Sequence, residues 1–180
     1  GGTDERTSID TILTAFNKGI NLIDTAPVYG FGTSERIVGK AIQEYGKRDD
    51  VILTTKVGLE WNDQQKVHRN ATRDRIMKEV DDSMERLGVD FIDVYMIHWP
   101  DHNTPMEETA TAMKELFDNG RIGAIAVSNF SPEQMDEFRK HAPIHVSEPP
   151  YNLFEREVEE DVLPYCQEND IATFTYGAIC

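Results

Sequence analysis

The sequence has few cysteines, few basic residues and no long apolar run. Its 2 cysteines, Cys166 and Cys180, show no metal-ligand spacing and no disulfide density, so we expect a reducing, cytoplasmic setting and no metal site. No apolar run approaches the roughly 18 residues that a membrane helix needs. Because 18 basic residues face 33 acidic ones, the net charge is −15, which disfavours nucleic acids and anionic membranes as partners.

The overall composition is that of an ordinary globular α/β protein. Of 180 residues, 39% are hydrophobic and 28% are charged, and no segment rich in Pro, Gly or Ser interrupts the chain. Length and composition therefore predict a single domain over residues 1–180.

Six segments with helical spacing of apolar residues alternate with six short apolar runs. Thr104-Pro105 and Ser131-Pro132 mark two of the helix starts, because Ser and Thr cap helices and proline suits the first helical position. Regular alternation with short connections predicts parallel strands and right-handed crossovers. The predicted helices cover about 7–18, 34–45, 73–87, 105–120, 131–140 and 157–168, the strands 21–24, 51–56, 91–97, 122–127, 144–146 and 171–175, and a surface loop 57–71.

The strand ends favour a (β/α)8 TIM barrel over an open sheet. An open dinucleotide-binding sheet usually carries G-x-G-x-x-G after a strand, and Gly30-Phe31-Gly32 lacks the third glycine. Instead, nearly every predicted strand ends in a polar or ionisable residue, as at the mouth of a barrel. Six strands do not close an eight-stranded barrel of about 250 residues, so we expect an incomplete portion without the opening strand and the last unit or two.

Each strand-end residue also has an ordinary structural explanation. Asp24 could cap a helix, Lys56 could extend into solvent, and His98 could be a packed core histidine. Ser128-Asn129 could form a turn, and Tyr176 could pack in the core. Because all of them follow successive strands at one edge of the sheet, we predict that they share one site.

The side chains at the first three strand ends suit proton transfer to a carbonyl oxygen. We predict that Lys56 pairs with Asp24 and lowers the pKa of Tyr29, making the phenol a better acid. A neutral His98 could hydrogen-bond and orient the carbonyl. Since no side chain supplies hydride, this chemistry requires a nicotinamide cofactor.

Four motifs resemble those of the aldo-keto reductases, in the same order and with the same spacing. They are DTAPVYG at 24–30, TKVG at 55–58, IHWPD at 97–101 and GAIAVSNF at 123–130. The resemblance covers essentially the whole chain and implies reversible reduction of aldehydes, ketones or sugars.

The resemblance also implies particular roles for the strand-end residues. Asp24, Tyr29, Lys56 and His98 would be the catalytic tetrad, with Tyr29 as the general acid. Ser128 and Asn129 would hold the nicotinamide carboxamide, and Tyr176 would stack on the nicotinamide ring. The family uses NADPH more often than NADH, so NADP(H) is the expected cofactor.

Glu148 departs from the family pattern, because many members have glutamine before the segment PPYN. It would still belong to the cofactor site, and we hypothesise that its negative charge favours the oxidised, positively charged nicotinamide. The alternative is that Glu148 points into solvent or pairs with a nearby cation.

Two other interpretations stay open from the sequence. One is a non-catalytic, cofactor-binding redox sensor, as in the potassium-channel β-subunits that resemble this family. The other is that the 180-residue chain by itself is an inactive fragment that associates through unpaired edge strands. The particular carbonyl or sugar substrate and the oligomeric state are not predicted.

Overall fold

The computed structural model describes residues 4–179, and one six-stranded parallel sheet runs through them in the order β1-β2-β5-β6-β7-β8. The elements in chain order are α1 (Glu5–Asn17), β1 (Leu22–Asp24), α2 (Thr33–Tyr45), β2 (Ile52–Val57), β3 (Leu59–Trp61), β4 (Val67–Arg69), α3 (Arg73–Leu87), β5 (Ile92–Ile97), α4 (Met106–Asp118), β6 (Ile122–Ser128), α5 (Pro132–Arg139), β7 (Val146–Glu148), α6 (Val162–Glu168) and β8 (Ala172–Thr173). The predicted alternation of six helices with six parallel strands is confirmed. The sheet with its helices is an incomplete (β/α)8 barrel.

The segment 57–71 was predicted to be a surface loop, and that prediction is wrong. It forms an antiparallel hairpin of β3 and β4, in which Glu60 pairs with His68. The side chain of Asn62 accepts hydrogen bonds from the backbone N–H groups of residues 64 and 66, and Gln65 has a φ of 59°. Asparagine closes such turns by bonding to the backbone two residues on, a signal that the polar composition of the segment concealed.

Of the two predicted capping signals, one agrees with the structure and one does not. Ser131 and Gln134 form a capping box at the start of α5, with proline at the first helical position as predicted. In contrast, α4 begins at Met106, because the hydroxyl of Thr104 donates to Asp101 instead of capping the helix. The segment 157–168, predicted as one helix, is divided in two. A short 3₁₀ turn comes first, and α6 then starts at Val162 with Asp161 as its N-cap.

The core lies mainly between the outer face of the sheet and the helices. The largest apolar cluster joins β5 and β6 to α3, α4 and α5, and a second joins β2 to α1 and α2. A smaller cluster on the inner face of the sheet consists of Val94, Met96, Ala126 and Val146. Side chains alternate between the two faces of a strand, so the residues on each side of Met96 point to the helices.

This inner face carries polar residues where the strands approach their carboxyl ends. Lys56 is opposite Met96 in the β2–β5 pair, and Ser128 is opposite Glu148 in the β6–β7 pair. The apolar cluster of Val94, Met96, Ala126 and Val146 covers much of the inner face, and the charged residues Lys56 and Glu148 lie near the carboxyl ends of their strands. The register therefore directs the predicted site residues to the expected edge of the sheet.

The structure also addresses the sequence observations on membrane helices and cysteines. Within residues 4–179, no helix combines the length and the apolar composition needed to cross a membrane. The Cys166 thiol is buried and free, whereas Cys180 lies outside the described residues.

Gly39 of α2 packs tightly against the last residue of α3, Leu87. A β-carbon added there would lie 2.3 Å from the carbonyl oxygen of Leu87, which is a backbone atom that cannot rotate away. Glycine at this position is therefore a packing requirement, although it weakens a helix by about 1 kcal/mol relative to alanine.

We expect Gly39→Ala to lower the free energy of unfolding by about 1–3 kcal/mol, measured by urea denaturation, because the overpacking outweighs the gain in helix propensity. Gly46→Ala is the control, since Gly46 has a φ of 70° but no atom within 4 Å of an added β-carbon. The control should lose about 1 kcal/mol from backbone strain alone. Stabilisation by Gly39→Ala would contradict the close contact.

Candidate active site

The end of β1 and the inner face of β2 bring Asp24 and Lys56 into a direct ion pair. Both carboxylate oxygens of Asp24 accept hydrogen bonds from the Lys56 ammonium. The Lys56 side chain is only 1% exposed and that of Asp24 is 30% exposed, so the predicted partly buried pair is confirmed. Burial raises the pKa of the Asp24 carboxyl, and the neighbouring lysine offsets part of that rise.

Tyr29 lies in the loop after β1, above this ion pair. The Lys56 Nζ atom is 5.6 Å from the centroid of the Tyr29 ring, and the His98 ring meets the same ring edge-on with centroids 5.7 Å apart. Tyr29 is 44% exposed, so its phenol is reachable from the outside. The tyrosine, lysine and histidine are thus brought together as predicted.

The predicted direction of the Tyr29 pKa is wrong. Burial, followed by the negative charges of Asp24 and Glu148 and the nearby Tyr176, raises the pKa of Tyr29 to about 12. The prediction from the sequence considered only the positive charge of Lys56. Because Asp24 neutralises most of the Lys56 charge, the phenol experiences more negative than positive charge and holds its proton.

His98 follows β5 and is buried, with 9% of its surface exposed. Burial and the positive charge of Lys56 lower the pKa of His98 to about 4, so the imidazole is neutral at physiological pH. Its backbone oxygen accepts a hydrogen bond of 3.0 Å from the Asn129 side chain. A neutral histidine in this place agrees with the sequence prediction.

Ser128, Asn129 and Tyr176 are joined by hydrogen bonds on the opposite side of the site. The Asn129 amide nitrogen donates to Ser128 Oγ at 3.0 Å, and the Tyr176 hydroxyl donates to Asn129 Oδ1 at 2.7 Å. Asn129 has a φ of 62°, so it also forms the turn that the sequence left open. Tyr176 is 38% exposed and is therefore not a core residue.

Glu148 points into the site and not into solvent. It is 5% exposed, and its Oε2 atom is 3.6 Å from the Lys56 ammonium. Burial raises the pKa of Glu148, with Lys56 opposing that rise and Asp24 adding to it. Glu148 thus pairs with a nearby cation, and the hypothesis that its charge favours oxidised nicotinamide stays a prediction.

A cavity of about 110 Å³ is enclosed by seven of the eight predicted site residues, and the eighth, Lys56, lies buried behind its wall. Trp99 also lines the cavity, and sequence reasoning treated it only as a neighbour of His98. The one signal for Trp99 was its place directly after a strand. The lining residues are Asp24, Tyr29, His98, Trp99, Ser128, Asn129, Glu148 and Tyr176.

A larger groove of about 870 Å³ lies away from the predicted residues, between α2 and α3. Its polar lining includes Arg48 and Arg86, whose guanidinium groups are already bound to Asp93 and to Glu35. The groove is open to solvent and none of the predicted site residues line it, so the smaller cavity is the candidate active site.

The hydrogen-bond donors and acceptors that line the small cavity fit a carboxamide such as that of nicotinamide. The oxygen of the Asn129 amide and the Glu148 carboxylate are acceptors for an amide NH₂, and the Ser128 hydroxyl can donate to an amide oxygen. At present Ser128 Oγ donates to the Glu148 backbone oxygen at 2.8 Å, so this hydroxyl would have to rotate.

Comparison with characterised families and proteins agrees with the geometry. The fold and the tyrosine–lysine–aspartate–histidine cluster define an incomplete (β/α)8 barrel with a polar site at the carboxyl ends of its strands. The Aldo/keto reductase family model matches residues 1–180, and the chain belongs to this family. Within it, the chain is 62% identical to Aldo-keto reductase YhdN of Bacillus subtilis (strain 168), over 100% of this chain and 54% of that protein.

Two further relatives have names that refer to different substrates. The chain is 36% identical to the NADH-specific methylglyoxal reductase of Escherichia coli (strain K12), over 99% of this chain and 58% of that protein. It is 50% identical to the glycerol dehydrogenase AKR11B4 from Gluconobacter oxydans, with a TM-score of 0.94 over 100% of this chain and 56% of that one.

The cofactor-bound structures include an aldo-keto reductase from Klebsiella pneumoniae in complex with NADPH. It is 29% identical, with a TM-score of 0.85 over 98% of this chain and 59% of that one. In each comparison the chain spans about half the length of the relative that it matches.

The low pKa of His98 makes folding stability depend on pH. The folded protein binds a proton on His98 only near pH 4, whereas the unfolded chain binds it near pH 6.5. Stability from the neutral, buried imidazole is therefore fully present above pH 6.5 and is lost as pH falls towards 4. We expect this loss to approach roughly 3 kcal/mol, from a shift of about 2.5 pKa units.

The measurement is urea denaturation of wild type and His98→Gln between pH 4 and 7. The raised pKa values of Asp24 and Glu148 stabilise the folded protein as pH falls, which opposes the effect of His98. Both proteins contain these two carboxylates, so the difference between their stability profiles reports the contribution of His98. His102→Gln, which removes an exposed histidine nearby, is the control and should follow wild type. Parallel profiles for His98→Gln and wild type would disprove the proposed desolvation.

Proposed function

We propose that this chain carries the active site of a carbonyl reductase, which reduces an aldehyde or ketone and can oxidise the corresponding alcohol. The observation that supports this most strongly is the buried Lys56–Asp24 pair beneath Tyr29, with a neutral His98 against the same ring. A protonated phenol and a neutral imidazole beside one cavity suit a carbonyl oxygen that gains negative charge.

In this proposal, Tyr29 gives its proton to the carbonyl oxygen during reduction. A pKa of about 12 keeps the phenol protonated at neutral pH, yet the alkoxide that forms when hydride adds to the carbonyl is a stronger base than a phenolate. The proton therefore moves downhill. His98 donates a hydrogen bond that orients the carbonyl, and the Lys56–Asp24 ion pair lies beneath the phenol ring.

The hydride comes from a nicotinamide cofactor, because no side chain supplies it. Ser128 and Asn129 would hold its carboxamide, Tyr176 would face the ring, and Glu148 would border the same position. We propose NADP(H) in preference to NAD(H), supported by the NADPH complex of a relative. Because another relative is named as NADH-specific, the binding experiment described below compares NADPH with NADH directly.

We further propose a small carbonyl compound or sugar as substrate, and a cytoplasmic location. Two relatives, named as a methylglyoxal reductase and a glycerol dehydrogenase, support a small substrate. The free, buried Cys166 is compatible with a reducing compartment. The continuous six-stranded sheet, which includes both β1 and β8, supports the proposal that residues 1–180 form a single domain.

Tyr29→Phe should lower kcat for aldehyde reduction by at least about 100-fold, because only the proton donor is removed. The measurement is consumption of NADPH with a panel of small aldehydes, alongside the dissociation constant of the cofactor. That constant should change less than about threefold, since the ring and its packing are retained. Tyr45→Phe, on α2 away from the cavity, is the control and should keep wild-type turnover. Retained turnover in Tyr29→Phe would remove this residue from the proposed role.

Titration of the protein with NADPH and with NADH, followed by quenching of tryptophan fluorescence, tests the cofactor proposal. Trp99 borders the cavity and should report binding. We expect at least about tenfold tighter binding of NADPH, which corresponds to about 1.4 kcal/mol. Equal or tighter binding of NADH would overturn the preference, and tight binding without turnover of any aldehyde would favour the redox-sensing alternative.

A further inference from the structure

Lys56 lies between two carboxylates, not one, and of these Glu148 is buried and Asp24 is partly exposed. Asp24 binds its ammonium directly, and Glu148 Oε2 lies 3.6 Å from the same nitrogen. Lys56 is 1% exposed and Glu148 is 5% exposed, so bulk water screens little of this interaction. The second carboxylate comes from β7, on the opposite side of the site from β1.

The charged groups around the cavity do not balance. Asp24 and Glu148 carry two negative charges against the single positive charge of Lys56, while Tyr29 and His98 are neutral at pH 7. The ionised form of the cluster therefore has a net charge of −1. An uncharged side chain with the shape of Glu148 would leave a net charge of zero.

We propose that Glu148 is a positioning residue that shares the Lys56 ammonium with Asp24 and maintains a negative charge on the cavity wall. The inference rests on the proposed function, because it concerns the same phenol and the same cofactor. Two consequences follow. Tyr29 keeps its proton more firmly than it would beside a lysine paired with one carboxylate, and a positively charged ligand is favoured over a neutral one at this wall.

All the groups that face Tyr29 and Glu148 enter this balance. Asp24 from β1, Lys56 from β2 and His98 after β5 surround the phenol, and Tyr176 after β8 borders both. Burial and the charges of Asp24 and Glu148 raise the pKa of Tyr29, so the removal of either negative charge should lower it. Glu148 is the one that can be replaced without breaking the direct ion pair.

The first test uses the protein without cofactor or substrate. Tyrosine labelled with ¹³C at the ζ carbon is titrated by NMR, and Tyr29→Phe assigns the resonance. In Glu148→Gln, which keeps the side-chain shape, Tyr29 should titrate about one pH unit lower than in wild type. Glu148→Asp retains the negative charge, so Tyr29 should titrate close to its wild-type pH in this variant. Glu168→Gln, which removes an exposed carboxylate at the end of α6, should have no effect.

The second test compares the dissociation constants of the oxidised and reduced forms of NADP at pH 7. Oxidised nicotinamide carries a positive charge that the reduced ring lacks. In Glu148→Gln, the preference for the oxidised form should fall by about three- to tenfold relative to wild type and to Glu168→Gln. If the protein unfolds at a pH lower than the one at which Tyr29 titrates, these dissociation constants alone test the role of Glu148.

The outcomes separate this inference from the proposed function. An unchanged Tyr29 titration together with an unchanged affinity ratio would overturn the role of Glu148, even in an active reductase. A lower Tyr29 titration in Glu148→Gln would support the role even if the protein turned over no aldehyde, because that measurement involves neither turnover nor cofactor.

Discussion

The buried ammonium of Lys56 is the group on which the rest of the site depends. An unpaired cation inside a protein costs several kcal/mol, so the fold must bring at least one carboxylate to it. Asp24 fulfils this role directly from the neighbouring strand β1. The parallel pairing of β1 and β2 is thus coupled to the chemistry, because a slip in register would separate the two charges.

The helix layer supports the same strand from its other face. The hydroxyl of Thr55 donates to Glu35 at 2.7 Å, and this buried glutamate is bound in turn by Arg86 from α3. Successive residues of β2 are therefore anchored on opposite sides, one in the cavity wall and one in the helix layer. Such anchoring holds a catalytic side chain in a defined position, which proton transfer requires.

The protonation states around Lys56 show how neighbouring charges alter an expected property. A lysine beside a tyrosine suggests an acidic phenol, yet the negative charges of Asp24 and Glu148 raise the pKa of Tyr29. The neutral state of His98 follows from burial and from the same lysine. The net charge of the whole cluster, and not one adjacent ion, decides which groups hold protons.

Local patterns in the sequence determined the order of the helices and strands, the parallel sheet and the edge at which the predicted site residues meet. Periodicity and capping are local, and the topology of parallel strands places their carboxyl ends at one edge. Only the tertiary structure decided that Glu148 reaches Lys56, that Trp99 lines the cavity and that the pKa of Tyr29 rises. These properties depend on distances between side chains far apart in the chain and on their burial, which no local pattern encodes.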